Sequence, residues 1–240
     1  EEELLLAFLD MWHKESPDIV TGWNVKFFDI PYLVNRLSRI LPKKEVNKLS
    51  PWGIIKQRSV VKMNREHLVY ELLGVSTLDY YDLYRTFTYV NQESYRLDHI
   101  AHVELGERKL SYEEFDSMSD FYKKDFQKFI EYNVKDVELI IKLEEKMKLL
   151  ELAIALAYSA KVNFKDVFSQ VRTWDAIIYH YLDEHNIVIP QKKHLDKSEQ
   201  YAGAYVKDPI VGMHDWVVSF DLNSLYPHLI MQYNISPETK

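Results

Sequence analysis

From Ser119 to Leu150 the apolar residues Phe121, Phe129, Val137, Ile140, Leu143 and Met147 recur at spacings near three and four, with charged residues between them. That period predicts one long amphipathic helix, whose apolar face must be covered by other elements. Shorter stretches repeat the pattern. Glu1–Lys14 carries Leu4, Leu5, Phe8 and Trp12 at helical spacing and stops at Ser16-Pro17. A second helix is expected over Tyr32–Leu41, entered through Pro31, and two more over Glu151–Ala160 and Ser169–His185. Between them lie β-rich runs at Asp18–Trp23, Val60–Val69, Leu72–Leu78 and Val217–Phe220. Asn64-Arg65-Glu66 is the expected turn of a hairpin, and Lys43–Ser59, broken by Pro51 and Gly53, is expected to be irregular. Helices interleaved with short strands predict an α/β chain.

With 240 residues and 47% apolar side chains there is ample material for a core. No apolar run approaches the roughly 18 residues of a spanning helix, and nothing resembles a signal peptide, so no membrane partner is expected. The absence of cysteine excludes disulfides and thiolate metal sites and fits a reducing compartment. The nine histidines show no ligand spacing. A net charge of −7 neither supports nor excludes nucleic-acid binding, because acidic residues can gather at metal sites while basic ones line another face.

Three carboxylates stand at positions where chemistry is possible. Tyr132 and Asp136 are four apart on the long helical pattern and share one face, where a hydroxyl and a carboxylate can hold a metal and orient its water. A tyrosine on an apolar face is also ordinary core. Asp29 sits at a strand-to-helix junction, where capping is the routine alternative. Asp221 follows the apolar run Val217, Val218 and Phe220 and precedes the turn formers Asn223, Ser224 and Pro227. A hard cation such as Mg²⁺ uses oxygens presented in that way. Asp79 and Asp82 are expected to be turn and helix-cap carboxylates.

DLNSLYP, residues 221–227, resembles motif A of the family B DNA polymerases, D-x-x-S-L-Y-P, at every fixed position. GWNVKFFD resembles their second exonuclease motif, N-x-x-x-F-D, and YNVKD their third, Y-x-x-x-D, and the three occur in the family's order. SYRLDHIA with LGERK, and YAGAYV, resemble further family patterns, and the likeness is strongest to the enzymes of T-even-type bacteriophages.

The resemblance implies a partial ribonuclease-H-like 3′–5′ exonuclease domain over 1–150, a helical connecting segment over 151–190, and the first strands of a polymerase palm over 191–240. It implies metal binding by Asp29, Asp136 and Asp221, with Tyr132 orienting water. Asn24 and Phe28 would contact the unpaired 3′ end, and Tyr201 and Gly203 the template backbone. Leu222, Ser224 and Leu225 would lie along the incoming triphosphate, and Tyr226 under its deoxyribose. The hairpin would help to separate primer from template. Two Mg²⁺ or Mn²⁺ ions per site, a primer-template, deoxynucleoside triphosphates, a sliding clamp and replisome proteins, and a cytoplasmic setting (that of the host, for a virus) follow as expectations. The family's D-x-E motif is expected upstream of this chain, and motifs B and C downstream, which would leave the chain by itself inactive. A free-standing ribonuclease-H-like nuclease and a non-catalytic nucleic-acid-binding module are the alternatives.

Overall fold

A computed structural model describes residues 1–62, 65–189, 203–236 and 239. The chain is α/β and divides into two units, residues 1–190 and 191–240, each taken by itself below. No helix among the described residues is long and apolar enough to cross a membrane.

The first unit opens with α1 (Glu2–Glu15), whose acidic first turn faces the positive end of its dipole and whose C-cap, Ser16, is left-handed. Strand β1 is shorter than the sequence suggests, only Ile19–Val20. It pairs in parallel with β4 (Ser76–Thr77), Ile19 opposite Ser76. Helix α2 (Asp29–Ile40) follows, with Pro31 in its first turn, where a missing N–H costs nothing. The region expected to be irregular instead contains α3 (Lys43–Val46), a 3₁₀ turn at Asn47–Leu49 and the start of β2 (Ile55–Lys62). Its apolar positions explain the difference: Val46 and Leu49 are buried beneath α2, and burial outweighs the weak local preference. Strand β2 pairs antiparallel with β3 (Arg65–Leu72), so the expected hairpin forms, but Arg65 and Glu66, expected in its turn, are strand residues paired with Lys62 and Val61. Gly74, at φ +92°, ends this arm, and a Cβ there would lie 2.4 Å from Pro51 Cγ.

Helices α4 (Tyr80–Phe87) and α5 (Leu97–Leu105) come next. The helix predicted from Ser119 to Leu150 is broken into α6 (Met118–Lys124) and α7 (Phe126–Met147), and the helix predicted over Glu151–Ala160 begins two residues earlier, as α8 (Leu149–Ala160). Two local features make the breaks. Asp125 turns out of the helix and accepts a hydrogen bond from Lys128 N at 3.0 Å, capping α7. Lys148 adopts a left-handed conformation at φ 54°, which no run of periodic side chains reveals. After a 3₁₀ turn at Phe164–Phe168, α9 (Gln170–Glu184) completes the described part of this unit.

Two apolar clusters hold the unit together. In one, Leu9, Ile30, Val34, Leu37, Leu49 and Leu72 join α1 and α2 to the hairpin. In the other, Leu78, Leu83, Ile100, Leu139, Leu143 and Val167 meet where α4, α5, α7 and α8 converge. Ala153, Ala157 and Ala160 are buried along α8, so their small side chains let neighbouring helices approach closely.

In the second unit α10 (Leu225–Tyr233) is the one helix among the described residues. The strand predicted at Val217–Phe220 does not form. Phe220 is 91% exposed, and Val217 and Val218 are also open to solvent. A strand is a pairing rather than a local state, and no described segment of this unit offers backbone groups to pair with.

Candidate functional site

Helix α7 places Tyr132 and Asp136 one turn apart, as their spacing predicts. Tyr132 is held in an aromatic cluster, edge-on to Tyr112 and Phe121 at ring-centroid distances of 5.6 and 6.1 Å. Its hydroxyl and the Asp136 carboxylate share a cation, Lys109. Lys109 Nζ donates to Asp136 Oδ2 at 2.6 Å and to Tyr132 Oη at 3.3 Å. It also lies 5.2 Å from the Tyr132 ring centroid. Burial works against the Lys109 charge, but the hydrogen bond and charge of Asp136, with the Tyr132 oxygen, outweigh it and raise the ammonium's pKa. The other carboxylate oxygen, Asp136 Oδ1, is buried with no hydrogen-bond partner among the described residues. A buried anionic oxygen left over in this way is the donor a hard divalent cation takes.

Lys109 is the functional residue that motif reading passed over. The signal lay in L-G-x-x-K, Leu105 to Lys109, whose spacing alone ties it to no chemistry. Gly106 ends α5 in a left-handed conformation at φ 72°, and the chain then reverses toward α7. Asp98 secures the reversal by accepting from Lys109 N at 2.9 Å and from Arg108 Nη1 at 3.0 Å.

Asn24, Phe28 and Asp29 occupy a second neighbourhood, the turn leading into α2. Asn24 has φ +67°, and its carbonyl accepts from Phe27 N and Phe28 N. The N-cap of α2 is Phe28, without a side-chain capping bond, so Asp29 does not serve as the cap. Asp29 is solvent-accessible, yet the protein packed around its carboxyl raises its pKa, against the pull of its own backbone N–H. Phe28 is exposed, and its ring lies nearly parallel to that of exposed Tyr32, with centroids 6.5 Å apart. Such faces suit unpaired bases. Among the described residues no hydrogen bond or ion pair joins Asp29 to the α7 group, and no three or more His, Cys, Asp or Glu side chains gather as a metal cage.

In the second unit Asp221 and Leu222 lie outside helix and strand and are exposed. Ser224 is the left-handed N-cap of α10, and its carbonyl accepts from His228 N at 3.0 Å. Leu225 and Tyr226 open the helix, with Tyr226 72% exposed, and Pro227 falls in the first turn. Gly203 is exposed with no atom near its missing Cβ, whereas Tyr201 lies outside the described residues.

Comparison with known proteins gives the family. Residues 1–100 match the model described as DNA polymerase family B, exonuclease domain, and residues 168–240 match DNA polymerase family B. The chain belongs to the family B DNA polymerases. It is 41% identical over 239 residues to the DNA-directed DNA polymerase of Escherichia phage RB69 and 36% identical over 240 residues to that of Enterobacteria phage T4. Both alignments cover 100% of this chain and 26% of the relative. DNA polymerase 1 of Sulfolobus acidocaldarius is 30% identical over 257 residues, covering 99% of this chain and 27% of that protein. The chain thus spans about a quarter of the length of these relatives.

Proposed function

We propose that this chain is a segment of a replicative DNA-directed DNA polymerase, contributing most of a 3′–5′ proofreading exonuclease site and the first carboxylate of the polymerising site. The observation that carries the reading is the Tyr132–Asp136–Lys109 group on α7, with its unsatisfied carboxylate oxygen, in a chain whose other motifs keep the family's order. Residues 1–150 form the exonuclease domain in this reading, 151–190 the connecting helices, and 191–240 the start of the palm.

The donor chemistry fits hard divalent ions. Asp29 and Asp136 would hold them at the exonuclease site, and Asp221 with the Leu222 carbonyl at the polymerising site. When bound, paired Mg²⁺ or Mn²⁺ ions activate an attacking oxygen and stabilise the leaving one. The protein's own groups do the rest. An ammonium only donates, so the Lys109 bond to the Tyr132 oxygen leaves the tyrosine proton free to orient a water or a phosphate oxygen. Phe28 stacks on the terminal unpaired base and Asn24 contacts its sugar or base edge. In the second unit, Ser224 and Leu225 lie along the triphosphate, and Tyr226 excludes a 2′-hydroxyl. Tyr201 and Gly203 contact the template backbone, and the β2–β3 hairpin parts primer from template. The substrates are primer-template, a single-stranded 3′ end and deoxynucleoside triphosphates. A sliding clamp and replisome proteins are the partners, and the phage relatives support action in a host cytoplasm.

The test is metal-dependent degradation of single-stranded DNA by a polymerase that carries this chain. Asp136→Ala should abolish degradation and keep primer extension. Degradation unchanged by that substitution would overturn the exonuclease assignment.

A further inference from the structure

We propose that Asp79 is a positioning residue of the exonuclease site, its buried carboxylate setting the turn from which Asn24, Phe28 and Asp29 reach the DNA. The proposal rests on the proofreading reading above. It starts from a charge in an unusual place: Asp79 is 2% exposed and engages no cation among the described residues. Burying a carboxylate is costly unless hydrogen bonds compensate, and here backbone N–H groups from two separate elements do so. Oδ1 accepts from Asn24 N at 2.8 Å and from Tyr81 N at 3.1 Å, and Oδ2 accepts from Lys26 N at 3.0 Å.

Only the bond to Tyr81 is helix capping. The other two cross to the turn after β1, more than fifty positions earlier in sequence. They grip the turn on both sides of Val25, which is itself buried. The turn needs such a restraint, because Asn24 has φ +67° and non-glycine residues do not hold that conformation without help. From Asn24 the geometry passes directly to the candidate contacts. The Asn24 carbonyl accepts from Phe28 N at 3.1 Å, and the Phe28 carbonyl accepts from Tyr32 N at 2.9 Å, which starts α2 with Asp29 in its first turn. The far side of the turn is fixed too. Trp23 Nε1 donates to the Tyr95 carbonyl at 3.2 Å, and Tyr80 N donates to the Gly22 carbonyl at 2.8 Å. Burial raises the pKa of Asp79, the N–H groups of Lys26, Asn24 and Tyr81 oppose it, and the nearby Asp82 charge adds to the rise.

Asp79→Asn tests this without changing shape. An amide has one acceptor oxygen, so its NH₂ must face either Lys26 N–H or the Asn24 and Tyr81 pair, and one side of the turn is released. In a polymerase that carries this chain, 3′-end degradation of single-stranded DNA should fall about a hundredfold, with KM raised and kcat lowered, because the turn carries both binding and metal-holding groups. Primer extension should change less than about twofold, since a displaced turn leaves the rest of the fold in place. Hydrogen exchange should quicken over residues 22–28 and stay unchanged over the core of α7 and α8. Asp82→Asn, a carboxylate in the same first turn of α4, should alter neither activity. Two outcomes overturn the proposal. One is unchanged degradation. The other is a parallel fall of degradation, extension and melting temperature, which marks Asp79 as a core carboxylate only. Asp136→Ala in the same assay separates the two readings. If it too leaves degradation intact, the proofreading assignment has failed; if it abolishes degradation while Asp79→Asn does not, only the Asp79 proposal falls.

Discussion

Asp136 and Asp221 carry equivalent expectations as metal ligands, from motifs of unequal specificity, yet they sit in contrasting surroundings. Asp136 lies on a long helix with one oxygen bound by Lys109 and the other buried and unpartnered. Asp221 lies on exposed backbone after an apolar stretch that pairs with nothing among the described residues of its unit. A helix satisfies its own backbone and needs packing on one face only, so the 22 residues of α7 organise a side-chain pair from within. A strand has no existence apart from its ladder. One carboxylate is therefore carried on a self-supporting helix, and the other has no paired strand beside it among the described residues of its unit.

The largest effect separates the two functionally. In a polymerase carrying this chain, Asp136→Ala should cost degradation a thousandfold or more, on the order seen when members of a catalytic unit are removed. Asp221→Ala should do the same to primer extension. Each should largely spare the other activity. If either substitution removes both activities in a folded protein, the two carboxylates do not serve separate sites.

Packing should differ as sharply as chemistry. Leu139 is fully buried between α7 and its neighbours, so Leu139→Ala should cost about 2–5 kcal/mol. Phe220→Ser in the 240-residue chain should stay within about 0.5 kcal/mol, because no burial is lost. Urea unfolding of both variants checks this. A large loss at Phe220 would mean that the stretch is packed after all.

Tyr226→Ala refines the contrast within the second unit. The exposed ring contributes little to stability, so its removal should be felt in selectivity instead. Ribonucleotide incorporation should rise by on the order of tenfold to a hundredfold, with little change for deoxynucleotides. Unchanged ribonucleotide incorporation removes Tyr226 from sugar selection.

A modest effect concerns the Lys109–Asp136 pair. Its Nζ–Oδ2 distance is 2.6 Å, with both side chains about a quarter exposed, so Lys109→Met should destabilise by only about 1 kcal/mol. Because the folded pKa of Lys109 is raised above 10.5, the pair's contribution is fully present below that pH. It is lost as pH climbs through the folded value. Thermal melts from neutral to strongly alkaline pH should therefore converge for wild type and Lys109→Met. Curves that keep a constant separation would show that the ion pair is not the source of the difference.

Much of this was legible without coordinates. Helical periodicity located α1, α2, α8 and α9, and a spacing of four put Tyr132 and Asp136 on one face, because such relations depend only on the geometry of a single helix. The motifs identified the family for the same reason: their chemistry is carried by residue type and order along the chain. Other features involved groups distant in sequence. Lys109 reaches Asp136 because Gly106 reverses the chain, and Asp79 grips Asn24 and Lys26 because β1 and β4 lie side by side. The break at Asp125 was hidden because one capping bond ends a helix without disturbing its apolar period, and the boundary expected after Leu150 falls at Lys148, set by one left-handed residue. At Val217–Phe220 the pattern was sound, but a strand's free energy comes from its neighbours, and that term is absent from the local sequence.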